Sequence, residues 1–321
     1  MYNFRTDLAD ERRDQYRKAN KLENEIPGIE SEEETNGENI KVTRVKIKDQ
    51  QGAEALGKAI GNYITIDVKN LKIAAEEEIQ IAAESLGKEI KQILDMHIDI
   101  KDDILVVGLG NLHVTPDALG PKVISYIDIT RHLLNYAPEF IDKDTRPVSA
   151  ISPGVLGTTG IETFEIVKGV IDNTSPKLII VIDALASRSI ERISNTIQLA
   201  DTGISPGNGV GNKRKDLSKD TLGIPVIAVG VPTVVEAATI AADSLDLFLN
   251  KMKEEYEKQN STENNNIYNF INTLQNENKY EMIKEALIPE DYNFIVTPKE
   301  IDDLIDNMSN VIARGINISL Q

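Results

Sequence analysis

The sequence predicts an α/β protein: a mainly parallel sheet covered by helices on both faces, in a single domain with peripheral insertions. Three observations carry this. Asp103–Gly108, Leu178–Ile182 and Ile224–Val229 are short apolar runs with no polar alternation, the pattern of strands buried on both faces. Helical stretches follow them: Pro121–Leu134, begun by a proline, then Glu162–Ile171 and Pro232–Leu249. Strand and helix in alternation call for parallel strands joined by crossover helices.

The flanking elements are read in the same way. Residues 8–40 are charged, with the Glu-rich Glu30–Glu34, and predict a helix followed by a mobile connection. Ile40–Lys48 alternates apolar and polar residues as a half-buried strand does, and Tyr63–Val68 is a second such strand. Within Leu71–Ile98, the residues Ile79, Ala82, Leu86, Ile90, Ile93 and Leu94 form one apolar helix stripe. Val148–Ile151 and Thr196–Leu199 are short strands, Phe294–Pro298 regains strand character, and Glu300–Ala313 is a final amphipathic helix. Residues 251–285 shift to a polar, Asn-rich composition and read as an insertion.

Composition narrows the chemistry. The chain has 321 residues, 40% of them hydrophobic, and a formal charge of −17. That balance opposes direct nucleic-acid binding, which calls for a basic face. Cysteine is absent, so thiol catalysis, disulfides and thiolate metal sites are all excluded. A three-histidine metal site would need every histidine present: His97, His113 and His132. No signal peptide is visible, and no apolar run approaches the ~18–20 residues of a membrane span, so a cytoplasmic location is expected.

Two aspartates stand where apolar strands are expected to end. Asp117 lies in Val107–Pro121, after the Gly108-Leu-Gly-Asn turn; Asp183 closes the run from Leu178. Ligands of open α/β sheets bind beyond the carboxyl ends of the strands. Two carboxylates meeting there could share one proton, one activating water and the other protonating the leaving group. The structural alternatives are an N-cap role for Asp117 and an ion pair from Asp183 to Arg188. Asp201-Thr-Gly203 matches the tripeptide of pepsin-like proteases, but those are β-rich, so Asp201 is read as a loop-ordering or supporting residue. Gly108 and Gly110 begin a dinucleotide fingerprint whose third glycine is replaced by His113. Ser205–Lys215, glycine-rich and then basic, lacks the Gly-Lys-Ser/Thr of a P-loop and reads as a substrate- or subunit-facing loop.

From Arg5-Thr-Asp-Leu-Ala9 through Val107–Pro121, Leu178–Arg188 and Asp201–Arg214 to Val296–Ile301, the sequence resembles the spore germination proteases of Bacillus and Clostridium relatives. The resemblance implies an aspartic-type endopeptidase, related in fold to hydrogenase maturation proteases. It is made as a zymogen and degrades the small acid-soluble proteins that coat spore DNA. It also implies a homotetramer in the spore core, no cofactor, and catalysis by the residues that fall on Asp117 and Asp183. The family's self-processing pattern matches Thr6–Glu11, placing the cut between Asp7 and Leu8, with 1–7 as the pro-segment and 8–321 as the peptidase domain. Asp201, Arg188 and His113 are candidate supporting residues. Two alternatives are carried: a metal-dependent peptidase using the same carboxylates with His113, and a nucleotide-binding regulatory module built on the Gly108 and Gly154–Gly160 loops.

Overall fold

The apolar strands of the sequence lie side by side at the centre of a nine-stranded sheet. In the computed structural model, which describes residues 6–37, 39–69, 76–142, 144–205, 214–258, 282–283, 285–286 and 294–321, the chain begins with α1 (Ala9–Ala19), β1 (Ile29–Asn36), β2 (Ile40–Ile47), α2 (Gln50–Leu56), β3 (Gly61–Val68) and α3 (Glu76–Asp95). There follow β4 (Ile104–Gly108), α4 (Leu119–Ile124), α5 (Arg131–Tyr136), β5 (Val148–Ile151), α6 (Leu156–Thr159), α7 (Thr163–Thr174) and β6 (Leu178–Ser187). The last elements are β7 (Thr196–Ala200), α8 (Lys219–Leu222), β8 (Val226–Glu236), α9 (Ala237–Lys258), β9 (Ile295–Val296) and α10 (Ile301–Leu320).

Sheet order is β1-β2-β3-β7-β8-β6-β4-β5, with β9 added to β8. The block β5-β4-β6-β8 is parallel and forms the expected α/β core. An antiparallel wing, β1-β2-β3-β7, extends it. From β4 the chain goes to β5 on one side and then returns to β6 on the other. The β4/β6 boundary is thus a topological switch point, where such sheets form their binding crevice.

The two faces of the sheet are covered differently. On one, α3 and α10 pack over Ile104, Val106, Ile180, Ile182, Ile197, Leu199, Ile227 and Val229 as a single apolar cluster. On the other, α7 and α8 cover Leu105, Val107, Ile179 and Val181, while α1 and α2 cover Val45, Tyr63, Ala200 and Ala228 as a separate cluster. A sheet face covered by two separate patches leaves a cleft between them, and the site lies there.

Several expected elements are corrected. The Glu-rich stretch expected to be a mobile connection is strand β1. It pairs with β2, and cations on β2 and just after it neutralise it: Lys41 with Glu33, Arg44 with Glu34, and Lys48 with Glu30. The helix expected over 121–134 splits into α4 and α5. Strand β6 does not stop at Ile182 but runs to Ser187, and β8 runs through Pro232 to Glu236, so the following helix begins only at Ala237. Pro232 is tolerated within a strand because pairing slips beside it, Leu185 opposing Pro232 and Ala186 opposing Val234. Of the expected polar insertion, α9 runs on to Lys258; residues 259–281 and most of the rest lie outside the described residues.

Candidate active site

Strand β6 outruns its neighbour β4. Their pairing ends at Gly108 opposite Ile182, and the Leu109 N–H donates to the Ile182 carbonyl at 2.8 Å. Asp183 is therefore the first β6 residue beyond the end of β4. Across β8 it is in register with Gly230, and Gly230 is in register with Gln198 of β7. Residues directly opposite one another share a sheet face, so Asp183, Gly230 and Gln198 form one row on the face with the cleft. Gly230 sits between these two side chains, and the Leu185 side chain occupies the space above it.

Asp117 arrives from the loop after β4. It ends a 3-10 turn, Thr115–Asp117, with Pro116 second in the turn, where a missing N–H costs nothing. Its N–H bonds the Val114 carbonyl at 2.7 Å, and its own carbonyl accepts the Asn111 N–H at 2.9 Å. The capping role weighed for it is not taken up: Ala118 precedes α4, and no side chain caps that helix. Gly110 makes the close turn possible, with φ at +115° and the Asp117 carbonyl oxygen only 2.0 Å from where a Cβ would stand.

Asp117 and Asp183 thus line the same cavity, of about 660 Å³, together with Asp7, Lys58, Gln198 and Arg214. Burial raises the proton affinity of both carboxylates. Asp117 is pushed up to about 6, with the Asn111 backbone amide and Arg214 acting in the opposite sense. Asp183, 7% exposed, is raised well above the ordinary range by burial first, then by the negative charges of Asp117 and Asp7. A hydrogen bond from the Ala184 N–H at 2.9 Å only partly offsets this.

The remaining predicted residues fall elsewhere. Arg188 directs its guanidinium to Asp243 at 2.8 Å and its backbone N–H to Glu11. Asp201 accepts from the Asn62 N–H and side-chain amide at 2.8 and 2.6 Å, which ties β7 to the start of β3. His113 is exposed and is not part of the cavity wall. Among the described residues no group of three or more His, Cys, Asp or Glu is placed to hold a metal ion. The Gly108 turn is filled by the chain itself, since a Cβ there would lie 2.3 Å from the Gly120 carbonyl oxygen. Residues 206–213 of the basic loop lie outside the described residues; its two ends, Ser205 and Arg214, reach the cavity.

Asp7 and Leu8 are held beside this cavity. Asp7 donates its N–H to the Ala186 carbonyl at 3.0 Å, and its carboxylate accepts the Ala186 N–H at 3.0 Å. Leu8 and Ala9 are fully buried, and Thr6 bonds Glu11. Arg192 pins the start of α1 by pairing with Asp10 and Asp67 at 2.7 and 2.5 Å. Two lining residues were not foreseen. Lys58, just past the αL glycine that ends α2, has its ammonium pulled down to about 8 by burial, with Asp7 acting in the opposite sense. Gln198 alternates with Ile197 and Leu199 in β7 as Thr196 does, so nothing local in the strand marked it out.

Comparison with known proteins gives the family. The family model described as Germination protease matches residues 5–268 and 257–321. The germination protease of Caldanaerobacter subterraneus subsp. tengcongensis is 50% identical, covering 100% of this chain and 95% of the relative. That of Clostridium tetani is 49% identical over 99% of this chain and 96% of its own. That of Bacillus cereus is 44% identical over 99% and 94%. The chain belongs to the germination protease family.

Proposed function

We propose that this protease is a self-processing zymogen that starts the breakdown of small acid-soluble, DNA-coating proteins in the germinating spore core. In this reading it acts as a homotetramer and uses Asp117 and Asp183, without a cofactor, to activate water. The observation that supports it best is one cavity at the β4/β6 switch point lined by both carboxylates and by Asp7 of the expected processing site.

The environments of the two acids suggest their roles. The less enclosed Asp117, with a proton affinity near pH 6 and Arg214 nearby, is the ionised base at neutral pH. The enclosed Asp183, facing two other carboxylates, is the partner that keeps its proton. Asp117 takes a proton from water as its oxygen attacks the peptide carbonyl carbon. Asp183 delivers its proton to the leaving nitrogen as the C–N bond breaks. The pair then holds one proton, as before, with the roles exchanged. Because Asp7 stands in the cavity wall, even a short pro-segment can obstruct the site until it is cut.

Intact-mass measurement on purified full-length protein tests this. Loss of Met1–Asp7, a cut between Asp7 and Leu8, is expected, and it should persist after exhaustive chelation with metal analysis showing none bound. A stable full-length mass under conditions where the protein cleaves its substrates would reject self-processing. Activity that disappears on chelation and returns with a divalent ion would replace the metal-free mechanism.

A further inference from the structure

The self-processing reading deepens at Gln198. Its carboxamide reaches the chain on both sides of the Asp7–Leu8 peptide bond. Nε2 donates to the Asp7 carbonyl oxygen at 2.9 Å, and Oε1 accepts the Ala9 N–H at 2.6 Å. One side-chain amide thus imitates a neighbouring strand across that bond, offering one donor and one acceptor as a backbone would. The Asp7 end is fixed independently by Ala186, through its carbonyl and its N–H. Leu8, between the two bonds, is completely enclosed.

The location also matters. Gln198 and Asp183 flank Gly230 in the same row of the sheet, so their Cα atoms stand about two strand spacings apart, roughly 9.5 Å. The Leu185 side chain fills the space over Gly230 between them. Asp7, Gln198 and Asp183 nevertheless line one cavity, so a peptide held by Gln198 lies at the wall that carries Asp183.

We infer that Gln198 is a catalytic residue of this protease, holding the scissile peptide and donating a hydrogen bond to its carbonyl oxygen. The inference rests on the proposal that the Asp7–Leu8 bond is cut. The bonded oxygen is the one that gains negative charge when water adds to the carbonyl carbon. A fixed amide donor aimed at that oxygen lowers the barrier most where water is excluded. It should act equally on a substrate segment that displaces Thr6–Ala9.

The test uses the trimmed protein and a synthetic peptide with the sequence Arg-Thr-Asp-Leu-Ala-Asp-Glu, alongside self-trimming of the full chain. Gln198→Met keeps the length of the side chain but removes both hydrogen bonds; Gln198→Ala removes its bulk as well. The expected result is a fall in kcat of about a hundredfold to a thousandfold for Gln198→Met. Gln198→Ala should lower kcat and also raise KM. A purely structural clamp on the N-terminal segment would slow self-trimming yet leave kcat on the free peptide unchanged, and that outcome overturns the assignment. If Gln198→Ala does not fold, Gln198→Met decides alone, and wild-type kcat in that variant ends the proposal. Wild-type protein cutting somewhere other than Asp7–Leu8 would instead remove the reading beneath it, which is visible without either variant.

Discussion

Replacing Asp183 by asparagine is expected to raise the melting temperature at pH 7 while lowering peptide cleavage by about a thousandfold or more. The two effects share one cause. Asp183 is buried against Asp117 and Asp7, so its charged form is disfavoured in the folded state. A carboxyl that binds its proton more tightly when folded contributes stability fully present below the unfolded pKa, near 4. That contribution is lost as pH rises through the folded value. Asparagine has no charge to bury, so the gain in melting temperature should be absent near pH 4 and grow toward neutrality. Asp117→Asn should follow the same course, with its change centred on the window from about 4 to the folded value of about 6. Two pKa units correspond to about 3 kcal/mol, which partial solvent exposure reduces to about 1–2 kcal/mol. Thermal melts across pH check this. A melting temperature unchanged or lowered at pH 7 would mean that Asp183 is not held in a disfavoured state.

Gly110→Ala should be damaging out of proportion to one added methyl. The residue has φ at +115°, a region closed to side chains, and the new Cβ would meet the Asp117 carbonyl oxygen at 2.0 Å and its Oδ1 at 3.2 Å. Strain and overlap together should cost about 2–5 kcal/mol. Relief requires moving the Thr115–Asp117 turn, which carries one of the two acids. Small displacements of a reacting group cost about a hundredfold in rate, so activity should fall at temperatures where the variant remains folded. Gly157→Ala is the control: a Cβ there meets nothing within 4 Å, and its stability should stay within about 0.5 kcal/mol of wild type. Equal behaviour of the two variants would contradict the role given to the Gly110 turn.

The parallel core was legible because it is written in runs such as Leu178–Ile182, buried on both sides and hence apolar throughout. The ends of those strands were not legible. Asp183 resembled a terminator, but the strand continues because β8 pairs with it as far as Ser187. Pro232 resembled a helix start, but it sits at a slip in the same pairing. Strand β1 was hidden because glutamates rarely form strands, and the lysines and arginine that permit it lie on β2 and at its end, beside β1 only once folded. The two acids of the site stood out locally, each being costly beside an apolar run. What surrounds them did not. Lys58, Gln198 and Asp7 come from three separate stretches and meet only when α1 and α2 leave the cleft beside α7 uncovered. The sequence resemblance supplied the Asp7–Leu8 junction, but not that Leu8 would be enclosed at the edge of the cavity.

The central claim is that Asp117 and Asp183 act as one unit on a single water. The most direct measurement is kcat/KM for Asp117→Asn, Asp183→Asn and the double variant, with each shown to be folded by its melting curve. Residues that work together lose nearly everything on the first substitution, so the double variant should be no worse than either single one. A single variant that retains wild-type turnover, or losses that multiply in the double variant, would contradict the account.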